Sequence, residues 1–143
     1  MTIGKVIEGH HQNIVFCLET DTVREAAGKL ANKRIGALPI FDETGSVTGI
    51  FSERDLLYSI ARDELASLDT PLREVMTAPA ITVTPQTEAI EALSLMTKRR
   101  IRHLPVLEQG ELIAFVSIGD LVKYRLGLVE AEAEQLREYI QTA

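Results

Sequence analysis

The chain has 143 residues, 45% of them hydrophobic, enough for one compact domain or two small intertwined halves with a sizeable core. Its net charge of −6 disfavours nucleic acid and anionic membrane surfaces as partners, because both select positive faces. The single cysteine, Cys17, excludes an intramolecular disulfide and is expected to be a buried, inert thiol, while the lack of a basic-then-apolar leader or of an apolar run near ~18 residues predicts a cytoplasmic protein without a membrane span.

In chain order, a lead-in carrying Ile3, Val6 and Ile7 precedes an apolar run over 14–18, read as a strand. Val23, Ala26, Ala27 and Leu30 then recur at helical spacing and predict one buried helix face. A basic end, Lys33-Arg34, is followed by a strand over 35–40 that contains Pro39. Proline donates no ladder N–H, so an edge position is expected for it. Asp42-Glu43-Thr44-Gly45 reads as a hairpin turn into a strand over 47–51, and a helix follows from Ser52. The polar stretch 63–71, which ends in Pro71, reads as a linker.

The pattern then repeats. Leu72, Val75 and Met76 match the first lead-in, residues 81–83 match the first strand, and Ala89, Ala92, Leu93 and Met96 match the first helix. Lys98-Arg99-Arg100 match the basic end, a placement that the helix dipole alone favours. Pro105 lies 66 residues after Pro39, whereas Asp120 lies 65 after Asp55, because the second hairpin, Glu108-Gln109-Gly110, is one residue shorter. Each unit therefore reads strand, helix, strand, strand, helix, an α/β arrangement. One unit cannot bury its own sheet, so two units packed sheet to sheet about a pseudo-twofold axis are expected, with two clefts between them. The expected divisions are 1–66 for unit one with its lead-in, 67–126 for unit two and 127–143 for a helical extension.

Both units keep Ser-x-x-Asp at the start of the last helix, as Ser52 to Asp55 and as Ser117 to Asp120. A serine at a helix N-terminus can help to hold a phosphate, and an aspartate is an acceptor suited to a ribose diol. The same spacing is also a near capping box, which is purely structural. Arg102 and His103 are adjacent on a strand, so opposite faces and one cleft-facing side chain are expected. His10 and His11 lack the companions of a metal site, and no metal is expected. Across Gly127, Val122, Leu126, Val129, Ala133, Leu136 and Ile140 form a stripe in steps of 4, 3, 4, 3 and 4. That stripe either folds back on the module or packs on a second copy, and a homodimer is the expected outcome.

Gly-Ile-Phe-Ser-Glu-Arg-Asp over 49–55, Ile-Arg-His-Leu-Pro-Val over 101–106, Val-Met-Thr over 75–77 and the repeat itself resemble the CBS-domain family in its tandem form, the Bateman module, of the small stand-alone bacterial type. The resemblance spans Ile3 to about Leu126 and implies a regulatory module whose clefts bind adenosine ligands such as AMP, ADP, ATP, NAD or S-adenosylmethionine, with no cofactor required and an unidentified protein as the regulated partner. Carried over by position, the better-matched cleft would use Thr84, Ala89, Ile101, Arg102 and His103 with Ser52, Arg54 and Asp55. The second would use Leu18, Val23, Ile35, Gly36 and Ala37 with Ser117 and Asp120, and Gly119 stands there in place of Arg54. Two other readings compete: an interaction module with vestigial clefts, and a hydrolase using Ser52 or Ser117 with His103, which lacks a visible orienting group.

Overall fold

A computed structural model describes residues 1–9, 13–63 and 68–142. The expected boundary between units, at 66 and 67, and most of the first half of the 63–71 linker lie outside the described residues, as do His10 and His11. Helix α1 (Ile3–Ile7) precedes strand β1 (Cys17–Leu18), helix α2 (Val23–Lys33), strands β2 (Ala37–Phe41) and β3 (Val47–Ser52), and helix α3 (Glu53–Asp63). A 3-10 turn at Leu72–Glu74 leads into the second unit: helix α4 (Ala89–Arg99), strands β4 (His103–Glu108) and β5 (Glu111–Ser117), and helix α5 (Ile118–Thr142).

The repeat holds at the level of backbone pairing. In unit one β2 lies between β1, parallel, and β3, antiparallel. In unit two β4 pairs antiparallel with β5, and the place of β1 is taken by a single parallel bridge, Val83 to Val106, 66 residues on from Cys17 to Ile40. Helices α2 and α4 bury the predicted faces, Val23, Ala26 and Leu30 in one and Ala89, Ala92 and Met96 in the other. The architecture is two α/β units packed sheet to sheet about a pseudo-twofold axis.

The prolines correct one expectation. Pro39 sits in the middle strand of its sheet and not at an edge, and Pro105 lies on the equivalent strand. In unit two the ladder to the short first strand starts with the Val83 N–H donating to the Pro105 carbonyl at 3.0 Å, and the next donor is Leu107, at 2.8 Å to the Val83 carbonyl. The missing proline N–H thus falls where the neighbouring strand has not yet begun, and no ladder bond is lost. The hairpins absorb the length difference as expected. Gln109 and Gly110, at φ 52° and 81°, form a two-residue turn in which both residues take the left-handed conformation such hairpins need. The longer turn is held by Asp42, whose Oδ1 accepts from the Thr44 N–H, the Thr44 hydroxyl and the Ser46 N–H, which together keep its pKa below the ordinary value.

The lead-ins cross over. Ile3 and Val6 of α1 belong to the core of unit two, with Val83, Ala92, Leu104 and Leu121, whereas Leu72 belongs to the core of unit one, with Val23, Leu38 and Phe51. Matched backbone bonds tie each crossing: Ile3 N–H to the Thr87 carbonyl and Leu72 N–H to the Asp21 carbonyl, both 2.8 Å. Each half therefore completes the other's core, so the halves are held together by burial as well as by their sheets.

Helix α5 is continuous through Gly127. Its first turns pack on the core through Leu121 and Tyr124. Val122, Leu126, Val129, Leu136 and Ile140 of the predicted stripe remain exposed, so within one chain the stripe does not fold back.

Candidate functional site

Strand β3 ends at Ser52, which caps α3. The Ser52 N–H and hydroxyl donate to Asp55 Oδ2 at 3.0 and 3.1 Å, and the Asp55 N–H returns a bond to Ser52 Oγ at 3.3 Å. Ser117 and Asp120 repeat the box at the start of α5, with Ser117 N–H to Asp120 Oδ2 at 2.8 Å and Asp120 N–H to Ser117 Oγ at 3.1 Å. The structural reading of Ser-x-x-Asp is thus realised in both units. It consumes only one oxygen of each carboxylate. Asp55 Oδ1 accepts from the Thr77 hydroxyl at 3.0 Å, and Asp120 Oδ1 has no hydrogen bond among the described residues. Capping fixes each carboxylate in orientation and leaves one oxygen toward a cleft.

The first cleft opens where the chain between the units crosses β3. Ile50 and Thr77 exchange backbone bonds of 3.0 and 2.9 Å, a crossing that Gly49 permits by having no side chain. The chain then lays Pro79, Ala80 and Ile81 along one wall, opposite Ser52, Arg54 and Asp55. The floor comes from unit two, where α4 ends at Arg100 in the left-handed conformation, φ 55°, and Ile101, Arg102 and His103 turn into β4. Arg54 spans the units by donating from Nη1 to the Arg100 carbonyl at 3.0 Å.

Of the residues expected there, Ser52, Arg54, Asp55, Ile101, Arg102 and His103 come together, and Thr84 and Ala89 do not line the cleft. Thr84 is turned into a local loop, its N–H donating to Thr87 Oγ1 at 3.1 Å, and Ala89 is buried in the core of unit two. Their place as the wall is taken by 79–81, before the strand bridge and not after it. Arg102 and His103 both line the cleft, contrary to the alternation expected, because β4 begins at His103 and Arg102 is still in the bend that precedes it. Tyr58, Thr77, Arg99 and Arg100 also line it. Arg99 and Arg100 stand where cations suit a helix end, and the left-handed turn at Arg100 has no sequence signal.

The second cleft is the same construction 66 residues earlier. Asn13, Ile14 and Val15 correspond to 79–81, and Arg34, φ 52°, corresponds to Arg100. Ile35, Gly36, Ala37, Ser117 and Asp120 line it as expected, together with Phe115. Leu18 and Val23 do not, since Leu18 is exposed at the far end of β1 and Val23 is buried in the core of unit one.

Gly36, Ala37 and His103 line both clefts and form the seam. A Cβ on Gly36 would lie 2.7 Å from Glu53 Oε1 and 3.4 Å from His103 Cε1, so glycine allows the close approach. The His103 ring stacks on Phe115, centroids 5.4 Å apart and planes 14° apart. Burial, and then the Arg102 charge, push its pKa below 6.5, with Asp120 and Glu53 opposing. Neither Ser52 nor Ser117 hydrogen-bonds to His103 among the described residues; both hydroxyls serve the caps. No helix among the described residues is long and apolar enough to cross a membrane.

A CBS domain family model matches the chain twice, over residues 4–62 and 72–127. The chain belongs to the CBS-domain family. A mitochondrial CBS domain-containing protein of Arabidopsis thaliana, CBSX3, is 37% identical over 142 residues, covering 96% of this chain and 68% of that protein. A longer Arabidopsis relative, CBSCBSPB1, is 34% identical over 116 residues, covering 81% of this chain and 21% of that protein. Among solved structures, a CBS-domain containing protein from Agrobacterium tumefaciens superposes with a TM-score of 0.81 at 34% identity, covering 87% of this chain and 92% of that one. CBSX2 in complex with AMP superposes with a TM-score of 0.75 at 26% identity, covering 89% of this chain and 97% of that one.

Proposed function

We propose that this CBS pair is a regulatory module that binds an adenosine nucleotide, of the class AMP, ADP, ATP, NAD or S-adenosylmethionine, and reports its occupancy to another protein. The observation that carries this reading is the pairing, in each cleft, of a capped aspartate from one unit with the post-helix turn of the other. One oxygen of Asp55 is fixed by Ser52, and the other needs only a rotated Thr77 hydroxyl to accept from a ribose diol. Ile101 offers backbone and His103 an uncharged ring to a base, and the arginines offer charge to phosphate. The AMP complex of CBSX2 supports the ligand class.

A ligand bridging the two units stabilises one relation between them, and so changes the surface offered to a partner. The chain acts by binding and not by turnover, since the candidate nucleophiles are held as caps. The exposed face of α5 serves a homodimer. Thermal unfolding with each nucleotide tests the reading. At ~100 times its dissociation constant a ligand adds about 2.7 kcal/mol and raises Tm by several degrees. No shift with any of the five ligands would move the chain to the alternative, a dimerising module with vestigial clefts, which the capping boxes and the bare α5 stripe favour.

A further inference from the structure

Arg54, Arg99, Arg100 and Arg102 all line the first cleft. Acidic residues outnumber basic ones in this chain, 21 to 15, yet none of these four arginines has a carboxylate within ion-pair distance among the described residues. Among the described residues the acids lining the same cleft are Glu53 and Asp55, and the Asp55 carboxylate already accepts from Ser52 and Thr77. Four arginines lining one cavity make it electropositive, and an anion with several charges offsets their mutual repulsion.

The second cleft provides an internal control. The repeat places Gly119, Lys33, Arg34 and Gly36 where the first cleft has Arg54, Arg99, Arg100 and Arg102, and among the described residues only Arg34 of these lines that cleft as a cation. Asp120 lines it as well, so the formal charges of the described lining residues balance. The two clefts share one backbone design and differ in charge.

We infer that the first cleft takes a nucleoside di- or triphosphate, whereas the second takes an adenosine compound with one phosphate or none. The inference rests on the adenosine reading above and adds the phosphate chain. Guanidinium groups pair bidentately with phosphate oxygens, and several around one cavity can engage successive phosphates.

Calorimetry on the full chain with adenosine, AMP, ADP, ATP and inorganic tripolyphosphate, repeated for Arg102→Gln and Arg54→Gln, tests this. Arg102 is exposed and, of the two clefts, lines the first, so its loss leaves the core untouched. The expected result is a site whose affinity climbs with each phosphate, with ATP at least about tenfold tighter than adenosine, the scale of one charge-assisted bond. Arg102→Gln should then weaken ATP about tenfold and adenosine less than about twofold, and Arg54→Gln should act in the same direction. Adenosine and ATP binding equally well, or ATP affinity unmoved in both variants, would overturn the inference and leave the adenosine reading standing. Tripolyphosphate binding as tightly as ATP would keep the polyphosphate inference and overturn the adenosine reading. Binding by none of the five would overturn both.

Discussion

Replacing Gly49 by alanine tests whether the crossing that builds the first cleft is as tight as it looks. An added Cβ would lie 2.6 Å from Met76 Sδ, 2.9 Å from Met76 Cγ and 2.9 Å from the Thr77 carbonyl oxygen. The methionine can swing away. The carbonyl cannot, because it accepts the Ile50 N–H at 3.0 Å while Thr77 donates back to Ile50 at 2.9 Å. Overpacking of this kind costs about 1–3 kcal/mol, a weakened bridge adds about 1 kcal/mol, and the reduced freedom of the unfolded chain returns about 0.4–1 kcal/mol. The net loss is about 1–3 kcal/mol, which at this chain length lowers Tm by about 3–12 °C. Gly28→Ala is the control, since nothing lies within 4 Å of its Cβ and its place in α2 favours alanine by about 0.5–1 kcal/mol. Differential scanning calorimetry on both variants decides the matter. A Gly49→Ala protein that melts within about 1 °C of the parent while Gly28→Ala gains stability would refute a tight crossing.

Two further expectations concern pH and assembly. Because burial and Arg102 depress the pKa of His103 below 6.5, the unfolded chain takes up this proton before the folded one as pH falls. Its stability contribution is complete above pH 6.5 and declines as pH drops from there toward the folded value, so His103→Gln should flatten the fall in denaturation midpoint over that window; an unchanged slope would place the titration elsewhere. Deleting from Val129 onward removes exposed apolar surface and, among the described residues, no fully buried one, so sedimentation should show a monomer with an unchanged far-ultraviolet spectrum per residue in the remaining fold, whereas an unchanged dimer would locate the interface off α5.

The repeat made most of the fold legible. A 66-residue offset between the prolines and 65 between the aspartates located the hairpin deletion, and both hairpins bear it out. The helix faces followed from period alone, since Val23, Ala26 and Leu30 have one environment whichever partner covers them. What covers them was not legible: a lead-in of three apolar residues has the same pattern whether it packs on its own unit or on the other. The prolines were misplaced for a related reason. Proline forbids a donor but does not say where the neighbouring strand starts, and here the neighbour starts beyond it.

The cleft was legible where a residue's role is set by a helix terminus, as at Ser52 and Asp55. It was not legible where backbone direction decides. Thr84 looked suited to a ligand but closes a turn with Thr87, and Arg34 and Arg100, both in the left-handed conformation, line the two clefts. A non-glycine residue there costs about 1–2 kcal/mol, and both units accept it at the same place.

The most direct test of the account is calorimetry with ATP and with AMP on the parent chain, on Asp55→Asn and on Asp120→Asn. Asparagine keeps one oxygen for the Ser52 cap and turns the other acceptor into a donor, so the unliganded Asp55→Asn protein should lose only about 0.3–1 kcal/mol through the helix dipole. If the second oxygen grips a ribose hydroxyl, the same change costs about 1–3 kcal/mol of binding, roughly a 5- to 150-fold rise in Kd at the first cleft. Asp120→Asn should weaken the other site in the same way. Unchanged affinities in both variants would contradict the account and leave Ser-x-x-Asp as helix caps alone.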